Sequence, residues 1–143
     1  MIASNLLCQP LIPVYKNFKD LDIKEFKGYK LVDKHNSNYY SIATGLFRYK
    51  EGRIKHSSYS SLYQNNPDYY NDELDNRLSI FYSIEDARNF LKEYVNICNS
   101  SSNLVVLEIV LSGNLKEATC SNTFVTDYKC VIGDCIESIK EIK

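Results

Sequence analysis

Leu104-Val-Val-Leu-Glu-Ile-Val-Leu111 is aliphatic throughout except for one charge at Glu108. Its β-branched residues Val105, Val106, Ile109 and Val110 favour an extended chain. The run is too short to span a bilayer and suits a strand covered on both faces. The polar stretch Asn99-Ser-Ser-Ser-Asn103 precedes it and the turn signal Ser112-Gly113-Asn114 follows, so a helix through it is disfavoured. We read it as the central strand of a single sheet.

The segment before this strand carries the clearest helix signal in the chain. Leu78-Ser-Ile-Phe-Tyr82 reads as a strand, and Ser83 then stands as an N-cap, with Asp86 at capping-box spacing in place of the usual Glu or Gln. Ala87, Phe90, Leu91, Tyr94 and Cys98 follow at helical spacing and give one apolar face. The helix is expected over Ser83–Cys98.

Nearer the start, Gly28–Asp33 reads as a strand, Lys34–Asn38 as a polar turn and Tyr39–Thr44 as the returning strand of a hairpin. Leu46–Tyr49 continues as strand, and Ile54 opens another short one. Lys16–Lys27 alternates Lys and acid around Phe18, Leu21, Ile23 and Phe26 and predicts a short helical turn. Residues 1–27 are set apart as an N-terminal arm, extended around Pro10 and Pro13, and 28–143 as one domain. Leu115–Cys120 and Tyr128–Ile142 are further strand candidates, the second containing a tight turn at Gly133-Asp134. The expected fold is α+β: one mostly antiparallel sheet of about five to seven strands, with the Ser83–Cys98 helix packed on one face.

Composition narrows the function classes. A chain of 143 residues with 44% hydrophobic content can bury a real core as one domain. A net charge of −1 sets up no field favouring nucleic acid or acidic lipid. The N-terminus lacks a basic segment ahead of an apolar run, so a secretory signal is not expected. The odd set Cys8, Cys98, Cys120, Cys130 and Cys135 reads as reduced thiols of a cytoplasmic protein. A structural zinc site needs four ligands. Cys130-x4-Cys135 offers two, and His35 and His56 lie in polar turns, so no metal and no cofactor are expected.

Two resemblances rest on short motifs. Gly28-Tyr-Lys30, Tyr49-Lys-Glu-Gly52, Ile80-Phe-Tyr-Ser-Ile-Glu-Asp-Ala87, Val105–Val110 and Tyr128-Lys-Cys-Val-Ile-Gly-Asp-Cys135 occur in an order that resembles a small domain of unknown function in giant-virus and phage proteins. That likeness runs from Gly28 to Ile139 and implies a viral source, but no activity. Phe81-Tyr-Ser-Ile-Glu-Asp-Ala87, with the strand Val105–Val110 after it, also resembles the ADP-ribosyltransferase-like fold. This second resemblance implies an enzyme or a binder of NAD derivatives or nucleotides. Glu108 would be its acid, with Tyr39, Tyr40 or Ser83 nearby. The first strand carries Lys30 where that fold has Arg or His.

Glu108 is the residue that most needs explaining, because an ionised carboxylate in an apolar run requires a partner. A salt bridge to Lys30 or Arg48 would make it structural. Cys130 has no evident base beside it. The stretch from Ser57 to Arg77 is long for a loop, and its Tyr59, Tyr63, Tyr69 and Tyr70 lie among Ser and Asn, a composition typical of protein contact surfaces. Four acids between Asp68 and Asp75 argue against a nucleic-acid partner. The chain has no phosphate loop, no His-Glu-x-x-His and no Gly-x-Ser-x-Gly. The expected function is therefore a non-enzymatic intracellular interaction module. It would use the Tyr-rich loop and the arm to bind a protein partner or a second copy of itself, away from membranes.

Overall fold

A computed structural model describes residues 14–42, 48–54, 78–98, 103–121 and 127–142. The elements run β1 (Val14–Asp20), β2 (Glu25–His35), β3 (Asn38–Tyr40), β4 (Arg48–Tyr49), β5 (Gly52–Arg53), β6 (Leu78–Phe81), α1 (Ile84–Cys98), β7 (Leu104–Ser112), β8 (Lys116–Ser121), β9 (Tyr128–Gly133) and β10 (Cys135–Ile142). All ten strands belong to one sheet of order β1-β8-β9-β6-β2-β7-β10-β5, with β3 on β2 and β4 on β3. Every described pairing is antiparallel. The protein is sheet-dominated with one helix, and the sheet is larger than the sequence suggests, because two- and three-residue strands give too little alternation to be recognised.

β7 lies inside the sheet between β2 and β10, as its apolar run requires. Its register with β2 is unbroken from Leu104↔Asp33 to Ser112↔Glu25. Val14–Asp20 corrects the expected helical turn. It is an edge strand on β8, with a register shift between Lys16 and Lys19 and Asn17 at φ 60°. Alternating Lys and acid suited either period, and pairing with β8 decided for the strand. The β2–β3 hairpin turns on Asn36 and Ser37, both at positive φ, as a two-residue primed turn demands.

The sheet divides into two wings. β1, β8, β9 and β6 form one, and β2, β7, β10 and β5 the other. β2 and β6 meet at one pair, Tyr29↔Phe81. Gly28 sits at this meeting, where a Cβ would collide with the Phe81 carbonyl and the Ile80 side chain. Two of the passages between wings are tight, neighbouring corners. Gly113 and Asn114, both at positive φ, carry β7 into β8. Asp134 carries β9 into β10, its amide donating to the Ser112 carbonyl at 3.0 Å. The expected tight turn at Gly133-Asp134 is thus a corner between wings and not a hairpin.

Three apolar clusters hold this arrangement. Val32, Leu107, Ile109, Leu111 and Ile136 of one wing pack with Leu78, Ile80 and Val131 of the other. α1 lays Ala87, Phe90 and Tyr94 on Leu31, Phe81, Val106 and Tyr128. Tyr15, Ala118, Cys120, Cys130 and Ile132 form the third. Ser83 caps α1 as expected, its hydroxyl accepting the Asp86 amide at 3.1 Å. No helix among the described residues is long and apolar enough to cross a membrane.

Candidate functional site

The strand β6 ends where α1 begins, and Tyr82 projects from that junction. On the neighbouring strands, Glu117 comes from β8, and Tyr128 and Lys129 from β9. Together with Asp86 in the first turn of α1 and Asp127 just before β9, they line an open cleft of about 380 Å³.

Both tyrosines are held in place. The Tyr82 hydroxyl donates to Glu117 Oε2 at 2.5 Å, and the Tyr128 hydroxyl to Glu93 Oε2 on α1 at 2.9 Å. Burial pushes both phenols well above the ordinary tyrosine range, and the accepting carboxylates push them further. They remain neutral donors at any physiological pH. Phe26 of β2 meets the Tyr82 ring edge-on at 5.0 Å, and Phe81 meets the Tyr128 ring at 5.2 Å. These contacts fix both rings, with Tyr82 half-buried and Tyr128 buried at the edge of the cleft.

The cleft carries a negative excess. Three lining carboxylates (Asp86, Glu117, Asp127) face one lining ammonium (Lys129), and Lys16 reaches Asp127 from outside the lining, leaving one negative charge. Lys129 stands 4.0 Å from Glu117, and Lys16 of β1 stands 3.7 Å from Asp127. Lys16, Asp127 and Lys129 are exposed and Glu117 half-buried, and at these lengths both pairs are weak. An incoming cation can displace either lysine at small cost.

The residues singled out in the sequence lie elsewhere. Glu108 faces Tyr29 and Lys140 across β7 and pairs with Lys27 at 3.8 Å, not with Lys30 or Arg48. Tyr39 donates to Glu141 of β10 at 3.0 Å, alongside Lys34 at 2.9 Å. Burial and that carboxylate raise the Tyr39 phenol, and the hydrogen bond to Glu141 raises the Lys34 ammonium. Tyr40 lies near the His35 ring, and His35 pairs with Asp33 at 2.9 Å in exposed positions. Ser83 spends its hydroxyl on the helix cap. Each of Glu108, Tyr39, Tyr40 and Ser83 thus has its described contact with a residue outside that set. Cys130 is buried with its thiol toward the Ala118 carbonyl, and burial pushes it far above the ordinary thiol range. Tyr59, Tyr63, Tyr69, Tyr70, His56 and the arm up to Pro13 lie outside the described residues. Among the described residues, no three His, Cys, Asp or Glu side chains stand close enough to hold a metal ion.

Sequence reasoning missed the cleft, because Tyr82 and Glu117 are separated by 35 residues and Glu117 stands in no motif. The only local hint was Tyr82 between a strand and a capped helix.

No family model, curated protein or solved structure matches the chain.

Proposed function

We propose that the protein is a non-enzymatic intracellular interaction module whose cleft receives a cationic side chain of a protein partner. The observation that carries this reading is the pairing of two fixed aromatic rings with an excess of carboxylates around an open cleft. A guanidinium or ammonium gains both from the carboxylates and from the ring faces. The cleft is too open to enclose a drug-sized molecule, which ordinarily loses most of its surface on binding. A long side chain presented by a larger partner needs no such enclosure. The Tyr-rich loop and the arm would widen the contact, and a second copy of the chain is one candidate partner.

The test is calorimetric titration with an Arg-containing peptide and its Arg→Gln counterpart. The Arg peptide should bind more tightly, and Asp127→Asn should weaken it about two- to fivefold, as expected for a partly exposed charge. Equal binding of the two peptides would remove the reading.

A second reading has one observation in its favour. The Phe81–Ala87 stretch that resembles the ADP-ribosyltransferase-like fold delivers Tyr82 and Asp86 into this cleft. An enzyme or NAD-derivative binder built here would use carboxylates of the cleft, since Glu108 does not line it. Thermal stabilisation by NAD or ADP-ribose, rising with concentration by mass action, would favour this reading over the first.

A further inference from the structure

Lys30 of β2 turns its ammonium toward β6. Its Nζ donates to Ser79 Oγ of β6 at 3.3 Å, and that oxygen lies 2.6 Å from the Tyr15 hydroxyl of β1. The Cys120 and Cys130 thiols are the other polar groups acting on it, and both are reduced. Among the described residues no carboxylate pairs with Lys30. Ser79 and Tyr15 are buried, whereas Lys30 as a residue keeps partial exposure. An enclosed ammonium without a counter-ion is what core packing disfavours, since a hydrophobic side chain of similar volume is usually at least as stable there.

We propose that Lys30 is a nucleophilic amine site that forms a Schiff base with a small aldehyde or ketone. The three groups divide the chemistry between them. The neutral Nζ attacks the carbonyl carbon, forming the C–N bond and placing the carbonyl electron pair on oxygen. One N–H proton passes through the Ser79–Tyr15 hydroxyl pair to that oxygen and gives the carbinolamine. A second proton, relayed by the same pair, lets the hydroxyl leave as water while the imine forms. The net change is amine plus carbonyl to imine plus one water, with no oxidant or reductant. Burial lowers the Lys30 amine from its ordinary value, which raises its neutral share where an ordinary lysine is almost wholly protonated. Lys30 keeps partial exposure, which gives a small carbonyl compound a route to it. This inference does not depend on what the cleft binds.

The test is reductive trapping at neutral pH with acetaldehyde and cyanoborohydride, read by peptide mass spectrometry on the intact chain. Limiting acetaldehyde should leave the adduct first on Lys30, ahead of the exposed lysines such as Lys24, Lys50 and Lys92. Tyr15→Phe keeps the amine and removes one relay hydroxyl, and should slow trapping at Lys30 by about tenfold or more. Lys30→Met should abolish the early adduct. Labelling spread over the exposed lysines with Lys30 unmodified would overturn the proposal. A Tyr15→Phe variant that labels at the wild-type rate would overturn the relay.

Discussion

Lys30 reaches Ser79 with no carboxylate beside it, and this sets a stability signature. Burial holds its folded value below 10.5, and the Cys120 and Cys130 thiols only partly oppose this. The unfolded chain therefore binds more protons between that lowered value and 10.5, so this group's contribution rises with pH across the window and stays at its least favourable, constant level below it. Lys30→Met is expected to match or exceed wild-type stability at neutral pH, by up to about 4 kcal/mol. Its advantage should shrink as pH climbs toward 10.5. Paired thermal melts across pH check this, and an advantage that grows with pH would contradict it. Gly28 makes a second residue-scale case. Gly28→Ala would drive a methyl group into the Phe81 carbonyl, which is backbone and cannot step aside. A loss of about 1–3 kcal/mol or more is expected in urea titrations, the usual range for overpacking.

At the scale of the element, α1 is the part most dependent on local chemistry. Ser83→Ala leaves the Asp86 amide without its cap and should cost about 1 kcal/mol, measured by chemical denaturation. An unchanged midpoint would mean that packing of Phe90 and Tyr94 alone holds the first turn. This helix was legible because its cap, its acidic first turn and its apolar stripe all lie within a few residues of one another. β1 shows the opposite. Lys16, Asn17 and Lys19 carry no period that separates helix from strand, so only the partner β8 makes the segment extended. The same segment bears a bulge and exposed lysines along the outer edge of the sheet, which discourages pairing with another chain there.

Across the whole molecule, the two wings are held by one mixed cluster more than by hydrogen bonds along their seam. Leu107 is fully buried in that cluster, between residues of both wings. Leu107→Ala should cost about 2–5 kcal/mol, and the loss should appear in one cooperative transition. Two separate transitions would show that the wings fold independently. Self-association through the Tyr-rich loop and the arm is read by size-exclusion chromatography with light scattering. A mass rising with concentration above the 16.5 kDa protomer supports it, and a constant 16.5 kDa removes it.

The amino-acid order alone established the interior strand Leu104–Leu111, the capped helix from Ser83, a hairpin turn within Lys34–Asn38 and a sheet-dominated fold with one helix. Each of these rests on interactions or periodicities spanning a few neighbouring residues, which a linear reading contains. Tertiary structure decided the division of the sheet into two wings and the partner of Glu108. It also decided the cleft between Tyr82 and Tyr128 and the surroundings of Lys30. Those features join residues far apart in the chain: Tyr82 meets Glu117 at a separation of 35, Lys30 meets Ser79 at 49, and Ser79 meets Tyr15 at 64. Such meetings depend on strand order and register, and a one-residue change of register would turn each of these side chains to the opposite face.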